Sequence, residues 1–208
     1  ACAPFRRLHL CSHNLESIDT KNYDSGNAKH KLLAEVCMAA KFEGESLRSQ
    51  HGEHQLTNKD SQICTMLARS FADIGDIVRG KDLFLGNTYE SAQRKQLDDK
   101  LKEIFKEIHG GLTTNGAEAR YNDATGDFYQ LREDWWTANR STVWKAITCG
   151  VVSGKYFRAT CDSDDNEKHS TLASNKCRCE GAKGAKADQV PTYFDYVPQY
   201  LRWFEEWA

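Results

Sequence analysis

The 208-residue sequence has no stretch approaching the ~20 consecutive apolar residues that a membrane-crossing helix needs, and its mean hydropathy is −0.70. No membrane insertion is therefore expected within this chain. A strong excess of one charge is missing as well: 28 Lys and Arg stand against 30 Asp and Glu, for a net charge of −2 and a pI near 6.4. Neutralising a phosphate backbone requires a basic excess, so nucleic acid is not an expected partner. The opening ACAPFRRLHL has neither an initiator Met nor a signal peptide. Both ends read as cut, and the expectation is an excerpt of a longer polypeptide. Internal repeats and low-complexity blocks are absent. So is any pairing of a nucleophile with a base, or of two carboxylates held in contrasting surroundings. The chain reads as a non-enzyme with no cofactor.

What the sequence does contain is aromatic and sulfur-rich. Five Trp, eight Tyr and nine Phe, with 39% hydrophobic residues, exclude a disordered segment and suffice for a sizeable core. Eight cysteines without clean zinc spacing read as disulfides formed in an oxidising compartment. All of Cys2, Cys11, Cys37, Cys64, Cys149, Cys161, Cys177 and Cys179 are assigned to such bonds.

The apolar spacing is mainly helical. Residues 1–27 form a polar lead-in pinned by Cys2 and Cys11. A first helix follows over AKHKLLAEVCMAAKF, with Asn27 as cap and Gly44 just past its end. The charged stretch from Glu45 to Lys59 has no periodicity and reads as an exposed loop. In DSQICTMLARSFADIGDIVRG, Ile63, Leu67, Phe71, Ile74 and Val78 keep helical spacing; Gly75 permits close packing and Gly80 ends the helix. TYESAQRKQLDDKLKEIFKEIHGG places Leu97, Leu101, Ile104 and Ile108 on one stripe and stops at Gly110 and Gly111. After a loop, TTNGAEARYNDATGD, the segment around Leu131, Trp135, Trp136, Val143, Trp144 and Ile147 presents a face broad enough to touch more than one neighbour. Residues 149–190 are cysteine-rich and irregular. Pro198 opens a terminal helix, 198–208, whose Tyr200, Trp203, Phe204 and Trp207 share one face that must be buried, and the expectation is that it packs on chain outside this excerpt. The fold class is mostly α: a disulfide-stapled helical bundle with long irregular loops. It divides into a cysteine-pinned segment with the first helix, 1–60, and a helical-bundle subdomain, 61–208.

Several motifs invite a sharper reading. Cys177 and Cys179 are too close to bond each other without strain, so they read as a hub whose sulfurs go to two different partners, Cys149 and Cys161 being the nearest candidates. Zinc, with His169, is the rival, but the C-x2–4-C spacing is missing. HGEH at 51–54 lacks the H-E-x-x-H order of a zinc protease. Asp162, Asp164 and Asn166 begin a calcium loop that fails at Glu167 and Ala173. GVVSGKY is too short for a phosphate loop, with Tyr156 where the metal-binding hydroxyl belongs. Asn139-Arg140-Ser141 fits a glycosylation acceptor but sits inside a helix. Lys176, Arg178, Lys183 and Lys186 cluster around one acid, Glu180. They would suit a sulfated or sialylated glycan held by salt-sensitive charge contacts, the plainer reading being a solvated loop.

CAPFRRLHLC, ARSFADIGDIVRGKDLF, REDWWTANRSTVWKAITC and VPTYFDYVPQYLRWFEEW, in that order, closely resemble the motif blocks of Duffy-binding-like domains. They resemble in particular the alpha class of the malaria parasites' variant erythrocyte membrane protein 1 adhesins. The resemblance covers nearly the whole chain. It implies an α-helical, disulfide-stapled domain on the extracellular face of the infected red-cell membrane, part of a larger membrane-anchored adhesin, with residues 1–60 matching a first subdomain. It implies binding to host cell-surface receptors: heparan-sulfate-like chains, blood-group sugars or complement receptor, with rosetting and antigenic variation as outcomes. Host antibodies and neighbouring domains of the same chain are the other implied partners. No ligand residue carries over, because binding positions lie outside the shared blocks or differ among members. The alternative is a structural, head-stabilising unit whose neighbouring domain makes the receptor contact.

Overall fold

In the computed structural model of the chain, the described residues are 2–57, 62–112, 116–156, 159–162, 170–173, 176–179 and 189–207. Lys183 and Lys186 of the basic cluster, and Asp164, Asn166, Glu167 and His169, lie outside them.

Helical spacing of apolar residues selects the bundle. α4, Ile63–Arg79, buries Ile63, Leu67, Phe71, Ile74 and Val78 as expected, and ends at Gly80 in the left-handed region at φ 71°. α5, Thr88–Gly110, starts with a capping box in which Asn87 accepts from the Glu90 N–H at 3.0 Å while Glu90 accepts from the Asn87 N–H at 2.7 Å. Its Leu97, Leu101, Ile104 and Ile108 face the core, together with Phe105. α7, Tyr129–Ile147, contacts α4, α5 and α3, Ala28–Thr57, as its broad face requires. At the centre Phe71 lies 5.1 Å from the Trp136 ring and 5.2 Å from the Trp144 ring, and Phe105 meets Trp135 edge-on at 6.0 Å. Such pairs add about 0.5–1.5 kcal/mol each beyond the area they bury.

Among the described residues the shorter elements are α1, Phe5–Leu8; α2, His13–Glu16; α6, Ala117–Arg120; and α8, Gln199–Trp207. β1, Ala159–Asp162, pairs antiparallel with β2, Ser170–Leu172, in a two-stranded sheet. Single 3₁₀ turns occupy Thr20–Asn22 and Phe194–Tyr196.

Two expectations are corrected. The loop from Glu45 to Lys59 is instead helical as far as Thr57, and Gly44 lies inside α3 rather than beyond it. The run Glu45–Gln55 is rich in good helix formers, and only Leu47 keeps contact with the core, so the helix leaves no apolar stripe to read. Gly44 is there for a different reason: a Cβ at this position would stand 2.1 Å from the Ile147 carbonyl oxygen, where α3 crosses the end of α7. Neither backbone can yield. Gly44→Ala is expected to cost about 3 kcal/mol as an overpacking defect. Gly52→Ala, in the same helix with nothing within 4 Å, is expected to stabilise by roughly 0.5–1 kcal/mol. Urea midpoints of the two variants check both signs. The second close approach, Gly75, matches its expected role, since a Cβ there would lie 2.7 Å from the Trp136 indole.

Within this chain the aromatic face of α8 is only partly covered. Trp203 is buried, but Tyr200, Phe204 and Trp207 are 52%, 69% and 61% exposed. The inward positions are taken by Gln199, Arg202 and Trp203, because α4 presents buried carboxylates there.

Candidate receptor-binding surface

The frame beneath the surface is tied by charge as well as by apolar packing. Asp73 on α4 is fully buried and accepts from Arg6 at 2.7 Å, Arg202 at 2.7 Å and Gln199 at 3.2 Å. Asp76, one turn on, takes Arg79 at 2.8 Å and a second bond from Arg202. Asp195, in the turn before α8, receives Arg140 through two nitrogens at 2.8 and 2.7 Å and the Trp136 indole N–H at 2.9 Å. Arg6 also forks onto Glu206 at 3.0 and 2.9 Å. The N-terminal segment, α4, α7 and α8 are thus joined through one chain of ion pairs. Burial alone would raise the Asp73 carboxyl, but Arg6, Arg202 and Arg7 outweigh it and hold it below the usual range.

The sulfur hub lies at the far end of α7. Cys177 bonds Cys64 on α4 and Cys179 bonds Cys161 on β1. The two sulfurs go to different partners, but Cys64 replaces Cys149 as one of them. Lys176 and Cys177 both take left-handed backbone angles, φ 55° and 54°, a conformation that non-glycine residues adopt only where the surroundings impose it. Here the Cys177 carbonyl accepts the Trp144 indole N–H at 2.9 Å. Cys2, Cys11, Cys37 and Cys149 carry free thiols, a departure from the expectation that all eight cysteines pair. Cys2 and Cys149 are exposed at the surface, whereas the Cys11 thiol is pushed up to about 11 by burial and by the neighbouring Glu43 charge.

The basic cluster is divided by this geometry. Arg178 turns back onto the end of α7, donating to the Thr148 hydroxyl at 2.9 Å and the Lys145 carbonyl at 2.8 Å. It satisfies one helix-end carbonyl and suits the negative end of the helix. Lys176 is exposed beside it. Among the described residues no group of three or more His, Cys, Asp and Glu side chains is placed to hold a metal. HGEH falls within α3, and Asn139 donates to the Trp135 carbonyl at 2.8 Å within α7.

Toward solvent the frame presents apolar side chains. Val197, Tyr200, Leu201 and Phe204 line the outer side of α8, and Leu83 and Leu85 are exposed on the segment that Gln199 pins through the Leu83 N–H at 2.6 Å. Sequence reasoning found the aromatic stripe of α8 but missed its extension through Leu83 and Leu85 and the ionic chain below it. The available signal was Asp73, Asp76 and Arg79 interleaved with Phe71, Ile74, Ile77 and Val78, on a helix too apolar to offer them a solvated face.

The family model described as the Duffy binding domain matches residues 1–202. The chain is similar to the NTS-DBL1(alpha-1) domain of the Plasmodium falciparum membrane protein 1, PfEMP1, of the varO strain. That match has 41% identity and a TM-score of 0.73, and it covers all of this chain and 43% of the other. The varO NTS-DBL1-alpha and CIDR-gamma double domain is similar at 42% identity and TM-score 0.75, with 100% of this chain and 27% of that one covered. An ICAM-1-binding PfEMP1 DBLbeta domain is 31% identical with a TM-score of 0.67, over 97% of this chain and 41% of that one. The chain spans less than half the length of these solved relatives. No curated protein matches it.

Proposed function

Because this chain belongs to the Duffy binding domain family, we propose that it serves as an extracellular adhesion module that binds a receptor on host cells. Domains of this family are binding modules and not enzymes. The observation that carries the reading is the likeness, over 97% of the chain, to a domain that binds ICAM-1. A rigid interior is what such a role requires: the ion-paired core and the sulfur hub hold the backbone, so outer side chains can change without altering it.

The finer reading is that the ligand is a red-cell glycan or receptor, such as a heparan-sulfate-like chain, a blood-group sugar or complement receptor, with rosetting as the outcome. On this reading the whole protein stands on the infected red-cell membrane, exposed to host antibodies. Among the described residues, no helix is long and apolar enough to cross that membrane. Exposed Lys176 supports a role for the basic cluster, with Lys183 and Lys186 following it in sequence, while Arg178 is engaged with the end of α7.

The test is binding of the folded chain to red cells and to immobilised heparin. Saturable, salt-sensitive binding that drops in a Lys176→Glu, Lys183→Glu, Lys186→Glu triple variant is expected. Equal heparin retention by the variant would remove the glycan assignment. The second reading, a head-stabilising unit beside the domain that makes the receptor contact, is favoured by the outward aromatic side chains of α8. It predicts a folded chain with no binding to either surface.

A further inference from the structure

A cavity of about 740 Å³ lies between the N-terminal segment, the second half of α3 and the last turn of α8. This is within the size range of small-molecule sites, about 300–1,000 Å³. Glu43 lies at its base and is 2% exposed. One Glu43 oxygen accepts from the Ser70 hydroxyl at 2.6 Å and the other from the Cys11 N–H at 3.0 Å. The Cys11 thiol also hydrogen-bonds Glu43; all of these donors are neutral, and the carboxylate still keeps a lone pair for a further donor. The nearby guanidinium is committed elsewhere: Arg6 forks onto Glu206, bonds Asp73 at 2.7 Å and reaches Ser70 at 2.9 Å. Ser70 therefore bridges Arg6 and Glu43 through its hydroxyl, and the lining holds two carboxylates, one guanidinium and the imidazoles of His9 and His51.

The walls are aromatic and apolar. The Phe5 and His9 rings meet at 4.3 Å, tilted by 52°, and Phe5 is 70% exposed. Trp207 is anchored by its indole N–H on the Cys2 carbonyl at 2.9 Å, which leaves its ring faces available. Leu47 lines the cavity between them.

We propose that this cavity binds an organic cation, a primary ammonium or guanidinium on an apolar stem, with the charge on Glu43 and the stem against Phe5, Leu47 and Trp207. The chemistry selects the charge type. An anion would meet two carboxylates, and a purely apolar ligand would strip water from Glu43 without returning a hydrogen bond. A cation supplies donors to the carboxylate and is attracted by the faces of the aromatic walls. The site is distinct from the basic cluster and from the Tyr200, Leu201 and Phe204 patch, since of the outward aromatic side chains of α8 it uses Trp207 alone.

The experiment is calorimetric titration of the 208-residue chain with 2-phenylethylammonium chloride, in parallel with neutral 2-phenylethanol. One-site binding is expected, with the alcohol about tenfold weaker, and Glu43→Gln is expected to weaken the ammonium by a similar factor of about ten. Equal affinity for the two compounds, or no heat at saturating ammonium, would overturn the site. Should Glu43→Gln fail to fold, Trp207→Ala serves instead, because its side chain lies at the surface. It is expected to weaken the ammonium about fivefold with an unchanged circular dichroism spectrum. Unaltered affinity in that folded variant would be equally fatal.

Discussion

Cys177→Ser is expected to lower the unfolding free energy by about 5 kcal/mol, on the scale of a small domain's entire stability. The bond it removes joins residues 113 apart in sequence. On the loop-closure argument a bridge of that span removes more freedom from the unfolded chain than a short one. Cys161→Ser opens a separation of 18 residues, and the same argument gives about 3 kcal/mol. The order, Cys177 above Cys161, is the informative part. Cys177 and Cys64 are also fully buried against Gly154 and Ile63, so the serine hydroxyl adds a polar group without a designed partner. Urea unfolding of oxidised protein, with thiol titration of each variant, measures both quantities. Equal losses in the two variants would mean that loop length does not set the effect.

The second large effect belongs to Asp73. Asp73→Ala leaves Arg6 and Arg202 facing each other across α4 with their shared carboxylate gone. Breaking a buried ion pair in this one-sided way costs about 3–5 kcal/mol, because a charge is left desolvated. Lys95→Ala, which opens the exposed pair with Asp99, is expected to cost under about 0.5 kcal/mol. Two carboxylates with ion pairs of similar length thus differ about tenfold in consequence, because one is buried with several partners and the other is solvated.

The same carboxylate sets an acid limit. Asp73 titrates lower in the folded chain than in the unfolded one, so its contribution is complete above the unfolded value of about 3.9 and disappears as the pH falls through the folded value. Asp76 acts in the opposite sense: burial holds it above the usual range despite Arg202 and Arg79, so its protonation on acidification relieves part of the loss. Wild-type stability is expected to fall below pH 4. In Asp73→Ala the curve should start lower and slope less over the same range, which denaturant midpoints at a series of pH values will show.

These effects trace what was legible in the residues. α5 could be read from Leu97, Leu101, Ile104 and Ile108 because burial along one stripe leaves a local period. The hub could be read because Cys177 and Cys179 are too close to bond one another without strain. α3 beyond Gly44 could not, since a helix supported at one crossing and otherwise solvated leaves no period to find. The partner of Cys177 could not either, since Cys64 and Cys149 are equally compatible with the spacing and only the packing of α4 against the hub chooses between them.

α8 marks the boundary most sharply. Its aromatic spacing established that it is an amphipathic helix, and the four long blocks established its family; both are properties of the chain alone, because periodicity and motif order need no partner. Which side faces inward was decided by Asp73 and Asp76, more than a hundred residues away in sequence, whose buried charge required Arg202 and so turned Tyr200, Phe204 and Trp207 toward solvent. Charge pairing across such distances leaves no trace in local spacing, so only the assembled fold could settle it.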